Sequence, residues 1–281
     1  MKVGPRGALH QAPLMKQVFL TGASSGIGLA IATELTARGH EVWGTARDIT
    51  RLPKLPRFHR VMLDLSDSHS TDQAFRAALA EAGHFDVLIN NAGSGHFDAA
   101  EDLPTAAIVE QFQILFFAPV QLVHLGMASM RARGGGLIIN VTSLASRLPV
   151  PFMGAYNAAK AAMAAFTLSM QLELPDSRVR IVDLQPADIC TRFNDAVRKS
   201  APSSPPYEAQ LARTWEAVER NMKAAPKPEL VARGVCALID RARPPARVTI
   251  GDAFQSKIAP LILRVLPQRL LIWGLRTYYR I

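Results

Sequence analysis

The stretch that decides the fold is Thr21-Gly22-Ala23-Ser24-Ser25-Gly26-Ile27-Gly28, directly after a predicted strand and directly before a predicted helix. Gly22 permits a sharp turn, Gly26 lets the backbone approach a phosphate, and Gly28 lets the helix pack closely on the strand. Free N–H groups and the helix dipole at such a turn attract a pyrophosphate. A glycine pattern alone also occurs in ordinary loops. Here a predicted strand precedes the pattern and a predicted helix follows it, which together predict a dinucleotide site.

Strand and helix signals alternate on either side of this turn. The predicted strands are Gln17–Leu20, Glu41–Thr45, Arg60–Leu63, Asp86–Ile89, Leu137–Val141, Val179–Leu184 and Arg247–Ile250, and the predicted helices are Gly26–Arg38, Ser70–Glu81, Thr105–Arg131, Ala155–Leu174, Tyr207–Lys223 and Glu229–Arg241. The alternation predicts an α/β fold, a doubly wound, mainly parallel, Rossmann-like sheet with helices on both faces. Ligands of such sheets bind at the carboxyl ends of the strands.

We expect a single oxidoreductase domain at residues 16–252, with a substrate lid at about 188–226. An N-terminal extension at 1–15 precedes it, and a basic amphipathic tail at 253–281 follows. The first fourteen residues contain no apolar core of a signal peptide, so we expect a cytoplasmic protein. Whether Met15 is the functional start stays open.

Composition excludes several classes of protein. With 49% hydrophobic residues in 281, the chain is typical of a globular domain and not of a disordered one. Its 2 cysteines, Cys190 and Cys236, lie far apart, which argues against a disulfide framework or a cysteine zinc site, and we expect no metal.

The net charge of +9 is distributed unevenly, because most of the excess lies beyond Arg241. We found no run of Lys and Arg interleaved with aromatic residues, so we expect no nucleic-acid partner.

The end of the second predicted strand indicates which dinucleotide binds. An acid at this point often holds the ribose 2′-hydroxyl of NAD, but the strand ends in Thr45-Ala46-Arg47. The Arg47 guanidinium suits a 2′-phosphate, so NADP(H) is favoured over NAD(H). In the alternative interpretation, Arg47 only pairs with Asp48, or Asp48 itself is the ribose acid.

A second group of residues follows the fifth predicted strand. Ser143 comes directly after it, and Tyr156 and Lys160 lie four residues apart on the next helix, so the last two share a helix face. A neighbouring ammonium favours the phenolate and brings a tyrosine closer to proton transfer at neutral pH. Ser143 can hydrogen-bond a substrate oxygen.

With these motifs in this order, the sequence resembles the short-chain dehydrogenases/reductases of about 250–280 residues, over roughly Val18–Gly251. The resemblance implies that Tyr156 is the general acid/base, that Lys160 lowers its pKa and holds the nicotinamide ribose, and that Ser143 orients the substrate. It further implies a cofactor site that comprises Gly22, Ser24, Ser25, Gly26, Ile27, Gly28, Arg47, Asp64, Leu65, Asn91, Ala92, Gly93, Tyr156, Lys160, Pro186, Ile189 and Thr191. Family members often form homo-dimers or homo-tetramers, and we expect the same here.

Two positions depart from the family pattern. Leu115 stands where the family usually carries an asparagine that supports a proton relay to the lysine, and Gln111 lies one turn earlier on the same face. Pro186-Ala187 replaces the usual Pro-Gly. The first departure leaves a second hypothesis open, a cofactor-binding protein with little or no turnover that acts as a sensor or scaffold.

The residues around the predicted site are apolar, and we expect a small hydrophobic ketone, aldehyde or alcohol as substrate. The candidate pocket residues, any of which could instead be core, are Leu144, Leu148, Pro149, Val150, Phe152, Met153 and Phe193. A third hypothesis, an epimerase or dehydratase of nucleotide sugars, fits poorly because that branch usually has a longer chain and another glycine spacing.

The tail has apolar runs far too short to span a membrane. A helix from Pro267 would place Arg269, Trp273, Arg276 and Arg280 on one side and Leu271, Leu275, Tyr278 and Tyr279 on the other. Such a helix can lie in a membrane interface, pack against a subunit or cap the pocket.

Overall fold

The computed structural model describes residues 15–174, 177–199, 207–262 and 265–281. Its strands are β1 (Gln17–Leu20), β2 (Glu41–Ala46), β3 (Phe58–Met62), β4 (Val87–Asn90), β5 (Gly95–His96), β6 (Gly136–Val141), β7 (Val179–Pro186), β8 (Val197–Arg198) and β9 (Arg247–Ile250). Its helices are α1 (Gly26–Ala37), α2 (Ser68–Ala82), α3 (Thr105–Phe112), α4 (Ala118–Arg133), α5 (Gly154–Glu173), α6 (Glu208–Ala224), α7 (Glu229–Ile239), α8 (Ala259–Ile262) and α9 (Gln268–Tyr279).

Seven strands form one parallel sheet in the order β3-β2-β1-β4-β6-β7-β9. The chain winds outward from β1 to one edge and then from β4 to the other, so the order reverses beside β1. The predicted doubly wound sheet is confirmed, and its topological switch point lies at the carboxyl end of β1, where the glycine-rich turn begins.

Helices cover both faces of the sheet, and alternate residues of β1 show why. Val18 and Leu20 pack with α1 and α7 on one face, whereas Phe19 packs with α2 and α4 on the other. All three side chains are fully buried. A strand buried on both faces is apolar at every position, which explains the continuous apolar runs in the sequence.

The long helix predicted at Thr105–Arg131 is one helical stretch with a π-helical turn, Gln113–Phe117, between α3 and α4. Pro119 has no N–H to donate to the Leu115 carbonyl four residues earlier, which breaks the α-helical pattern there. In the described residues, the stretch Thr105–Arg133 is long and apolar enough to cross a membrane by length and composition. It packs against β4 and β6, as a core helix does.

Two segments of the chain extend beyond the seven-stranded sheet and its covering helices. Between β7 and α7, the chain forms β8, which pairs with β5, and then α6; the loop predicted at Ser200–Pro206 lies outside the described residues, as do residues 1–14. The tail forms α8 and α9, and α9 packs on α6. Of the four residues predicted to lie opposite the arginines of this helix, Tyr279 is buried and Leu271 and Leu275 are half-buried, but Tyr278 is 49% exposed. Tyr278 and Tyr279 are adjacent on the helix, so their side chains point about 100° apart, and Tyr278 is the more exposed of the two.

Candidate active site

The glycine-rich turn is packed so closely that side chains would not fit. Gly22 has φ +72°, and a Cβ there would lie 2.8 Å from the Ala92 Cα. A Cβ on Gly28 would overlap the Gly22 carbonyl oxygen and lie 2.6 Å from the Asn91 Nδ2. The roles of these glycines in turning the chain and packing α1 therefore have direct steric causes.

Hydrogen bonds join this turn to the segment after β4. The Thr21 hydroxyl oxygen accepts from the backbone N–H groups of Asn91 (2.9 Å) and Ala92 (3.0 Å). The Asn91 side-chain amide donates to the Thr21 carbonyl oxygen at 2.9 Å. Gly93 follows on the exposed side of the same segment. Asn91 thus fixes the shape of the turn with its side chain, and Ala92 with its backbone.

The start of α1 fits a pyrophosphate. Ser25 precedes the helix in an extended conformation and makes no side-chain cap, so the first N–H groups of α1 are left for another acceptor. Ser24 and Ile27 are half-buried on either side. Gly26 has φ +54°, and a Cβ there would lie 3.4 Å from the Thr191 Cβ. The residues present therefore form a narrow cradle that fits a dinucleotide.

Arg47 is exposed just beyond the end of β2. The Asp48 carboxylate accepts from the Thr50 backbone N–H (2.9 Å) and hydroxyl (2.6 Å) and caps a short helical turn. These hydrogen bonds hold the pKa of Asp48 below its usual value. Asp48 is therefore occupied by Thr50, and no ion pair between Arg47 and Asp48 occurs in the described part of the chain.

Asp64 and Leu65, predicted to border the adenine, follow β3. The Asp64 carboxylate accepts from the backbone N–H (2.9 Å) and hydroxyl (2.8 Å) of Ser66. The Leu65 side chain is buried in the core, and its carbonyl oxygen accepts from the Gln113 side chain at 3.3 Å. Leu65 can therefore meet an adenine only through its backbone.

Three predicted catalytic residues come together at the carboxyl end of β6. Ser143 directly follows this strand, and its hydroxyl hydrogen-bonds the Tyr156 phenol on α5. One turn later, the Lys160 Nζ lies 5.9 Å from the centroid of the Tyr156 ring and donates to the Val141 carbonyl oxygen at 2.8 Å. The shared helix face and the strand end thus produce the expected group.

Burial dominates the electrostatics of this group. It lowers the pKa of Lys160 to about 8, although the nearby Asp183 favours the charged amine. It raises the pKa of Tyr156 above its ordinary value, although the hydrogen bond from Ser143 opposes the shift. This direction is opposite to the one expected from Lys160, because desolvation of the phenolate outweighs an ammonium that is directed at the Val141 carbonyl.

The loop after β7 completes the crevice. Pro186 ends the strand, and Ile189 is 3% exposed and belongs to the core under α1. The Thr191 hydroxyl accepts from the Phe193 backbone N–H at 3.2 Å, and its methyl group faces Gly26. Thr191 therefore packs beside Gly26 of the glycine-rich turn, whereas Ile189 packs in the core with α1.

Comparison with known proteins agrees with this geometry. The family model for the short chain dehydrogenase matches residues 16–202. The chain belongs to the short-chain dehydrogenase/reductase family. It is 29% identical to a 3-ketodihydrosphingosine reductase of Bacteroides thetaiotaomicron over 266 residues, which cover 94% of this chain and 98% of the relative.

Solved short-chain dehydrogenases share the fold over nearly the whole length. One from Streptomyces avermitilis is 26% identical, with a TM-score of 0.80, and the match covers 94% of this chain and 97% of the other. An alcohol dehydrogenase from Thermococcus sibiricus, solved with 5-hydroxy-NADP, is 26% identical with a TM-score of 0.70, over 85% and 97% of the two chains. Other solved chains of this fold hold NAD, so the comparisons support a nicotinamide cofactor without choosing between the two.

This short-chain dehydrogenase also shows what replaces the usual asparagine. Leu115 lies in the π-helical turn and is 1% exposed, and its Cδ2 would lie 3.5 Å from a Cβ placed on Gly93. The Gln111 side chain donates to the Ser94 carbonyl oxygen at 2.7 Å. The Gln111 amide nitrogen is therefore engaged with the loop after β4, whereas its amide oxygen is buried without a hydrogen-bond partner among the described residues.

Aromatic side chains line the substrate side of the crevice. The Phe193 ring lies 5.6 Å from the Tyr156 ring. Phe97 and Trp215, which sequence reasoning missed, form an edge-to-face pair at 4.8 Å, and Phe97 also packs on Phe152 at 5.8 Å. Of the other candidates, Leu144 and Met153 are almost fully buried. No local pattern could have revealed the Phe97–Trp215 pair, because it joins β5 to the distant α6.

Proposed function

We propose that this chain is an NADP(H)-dependent oxidoreductase that interconverts a hydrophobic ketone or aldehyde and the corresponding alcohol. The observation that carries the proposal is the hydrogen bond of Ser143 to Tyr156 with Lys160 one helical turn away, beside the glycine-rich turn. A bound nicotinamide supplies or accepts the hydride in this chemistry.

The chain's own residues handle the proton and the substrate oxygen. Tyr156 donates its phenolic proton to the carbonyl oxygen during reduction and takes it back during oxidation. Its raised pKa keeps the phenol protonated at neutral pH, which suits the reducing direction. Ser143 donates a hydrogen bond to the same oxygen, and Lys160 places a positive charge below the phenol.

The cofactor would lie along the sequence-predicted set. Its pyrophosphate would meet Ser24, Ser25 and the first turn of α1, and its nicotinamide end would meet Asn91, Lys160 and Thr191. Arg47 supports NADP(H), because its guanidinium is exposed at the end of β2 and its acidic neighbour is already occupied.

The aromatic lining supports a hydrophobic substrate. The Phe97 ring contacts the rings of Phe152 and Trp215, and the Phe193 ring lies beside Tyr156. The Bacteroides relative is named for reducing 3-ketodihydrosphingosine, and we extend that class, a long-chain ketone, to this chain.

The experiment that tests this proposal follows NADPH absorbance with a panel of hydrophobic aldehydes and ketones of increasing chain length. The proposal expects turnover that rises with chain length. If NADPH binds but none of these compounds is reduced, the second hypothesis, a cofactor-binding sensor or scaffold, is favoured. The buried Leu115 at the position of the usual asparagine is the observation that favours this second hypothesis. Leu115→Asn would then be expected to restore turnover.

Exposed apolar side chains support a homo-dimer or homo-tetramer. Val109 and Phe117 on the long helical stretch are 59% and 51% exposed, and Leu168 and Leu172 on the adjoining α5 are 48% and 74% exposed. Large exposed apolar patches commonly mark an interface. Light scattering after gel filtration tests whether the protein in solution is larger than its 30.6 kDa chain.

The tail supports contact between an otherwise cytoplasmic protein and an anionic membrane surface. Its outer side exposes large apolar side chains together with Lys257, Arg269 and Arg276. The apolar ones are Phe254, Ile258, Leu261, Val265, Leu270, Ile272 and Trp273, each 48–82% exposed. Apolar and cationic side chains on one helical surface suit the headgroup region of anionic lipids. A long-chain substrate would then be taken from the same membrane.

A further inference from the structure

Asp188 is a carboxylate at the edge of the active site to which the mechanism assigns no role. It lies two residues after Pro186, where the loop crosses the carboxyl end of the sheet. On one side of it, the Ala187 N–H donates to the Ile250 carbonyl oxygen at 2.8 Å. On the other side, Ile189 is buried in the core. The backbone around Asp188 is therefore held firmly in place.

The tail fixes the Asp188 side chain as well. The Gln255 Nε2 donates to the Asp188 Oδ2 at 2.7 Å, and the Asp188 N–H donates to the Gln255 Oε1 at 3.2 Å. One amide from the start of the tail thus holds both the carboxylate and the backbone of Asp188. Among the described residues, no hydrogen bond or salt bridge engages the second oxygen of the carboxylate, Oδ1.

Three tyrosines lie within range of the charge of this carboxylate. Burial is the main cause that raises the pKa of Tyr156 on α5 and of Tyr278 and Tyr279 on α9, and the negative charge of Asp188 adds to the rise. Tyr279 is 8% exposed, and its ring meets the Tyr278 ring edge-to-face at 5.0 Å. The charge of Asp188 therefore acts both on the proton donor of the reaction and on the aromatic end of the tail.

The carboxylate has no cationic partner. In residues 15–174, 177–199, 207–262 and 265–281, Asp188 forms no salt bridge, and the charged group that acts on it is another acid, Asp252. Its burial disfavours the charged form and raises its pKa. A partly buried carboxylate is costly unless a cation pairs with it, so this site lacks one positive charge that a ligand could supply.

We propose that Asp188 binds a protonated amine on the substrate, held beside the carbonyl group that Tyr156 protonates. The inference rests on the proposed function and narrows its substrate class to long-chain amino ketones. Gln255 is the positioning residue, because its amide holds both the carboxylate and the backbone of Asp188.

The test compares two ketones of equal chain length, 3-ketodihydrosphingosine and an 18-carbon 3-ketone that lacks the amine. Asp188→Asn keeps the shape of the side chain and its hydrogen bond with Gln255 but removes the charge. We expect kcat/KM for the amino ketone to fall about 30-fold or more, as for loss of one partner of a desolvated charge pair. The value for the plain ketone should stay within about twofold.

Asp195→Asn is the matched control, because Asp195 is an exposed acid on the same loop and its change removes the same charge. It should leave both ketones unaffected. Equal loss for both ketones in Asp188→Asn, or no loss for either, overturns the amine site. If the wild-type protein reduces neither ketone, it is the proposed function that fails, which is a distinguishable result.

A measurement on the wild-type protein keeps the inference testable if Asp188→Asn does not fold. A ten-carbon primary amine and the matching alcohol are compared as competitive inhibitors of ketone reduction. We expect the amine to bind at least about tenfold more tightly, because only the amine carries a positive charge that can pair with the Asp188 carboxylate. Equal inhibition by the two compounds would contradict the proposal.

Discussion

The carboxyl end of the sheet and the C-terminal tail meet at Asp188, but they are built in different ways. The sheet end is held by backbone hydrogen bonds, glycines without room for a Cβ, and a buried core. The tail is attached through a few side chains, notably Gln255 to Asp188 and Arg213 to the Arg280 carbonyl oxygen at 3.0 Å. If Asp188 binds the substrate as proposed, the framework fixes the chemistry, and the more loosely attached tail takes part in the choice of substrate.

The largest effect should come from the framework. Tyr156→Phe removes the proton donor, and we expect kcat for ketone reduction to fall about 1,000-fold. NADPH affinity, measured by quenching of protein fluorescence, should change little. A variant that keeps most of its reductase activity would contradict the assigned role of Tyr156.

The glycine-rich turn should come next. In Gly28→Ala, the added Cβ overlaps the Gly22 carbonyl oxygen, so the turn must shift, and we expect NADPH affinity to fall about 100-fold and Tm to drop. Gly39→Ala is a useful control, because a Cβ there meets nothing within 4 Å, although its φ of +86° carries some strain. Unchanged NADPH binding by Gly28→Ala would show that the turn does not hold the cofactor.

Arg47 offers a smaller and more selective test at the edge of the framework. Arg47→Ala should lower kcat/KM with NADPH about 10- to 100-fold through loss of charge-assisted hydrogen bonds to the 2′-phosphate, and should leave NADH values nearly unchanged. The ratio of kcat/KM for the two cofactors measures this directly. A wild-type preference for NADH would show that the cofactor assignment is wrong.

The pH dependence tests Lys160. Burial lowers its pKa to about 8, so the lysine is charged below that pH and neutral above it. We expect kcat for reduction to be flat below pH 8 and to fall up to tenfold per unit above it. In Lys160→Arg, the guanidinium stays charged, so the fall in kcat above pH 8 should disappear. A wild-type profile that stays flat well beyond pH 8 would contradict a role for the ammonium.

The smallest effect should come from the outer side of the tail. Trp273 is 68% exposed, and we expect Trp273→Ala to weaken binding to phosphatidylglycerol vesicles about fivefold in co-sedimentation. Met62→Ala removes an exposed apolar side chain from the opposite sheet edge and should change nothing. Equal vesicle binding by wild type and Trp273→Ala would contradict the proposed contact between the tail and the membrane surface.

The same contrast explains what the sequence could predict. Tyr156 and Lys160 were predictable because a four-residue spacing places them on one helix face, and the glycines because each sits beside a strand or helix end. The Asp188–Gln255 and Phe97–Trp215 contacts were not, since they join residues that are distant in the chain. The π-helical turn before Pro119 and the exposure of Tyr278 depend on local geometry that a regular helical pattern does not contain.

The proposed reaction is hydride transfer to a hydrophobic carbonyl group with proton donation by Tyr156. In the experiment, the enzyme is given a long-chain ketone and NADPH in which the hydrogen transferred from the nicotinamide is deuterium. The product is then analysed by mass spectrometry. We predict an alcohol that carries deuterium on its carbinol carbon, formed by wild type and nearly lost in Tyr156→Phe. An alcohol without deuterium, or no alcohol while NADPH is bound, would contradict the account.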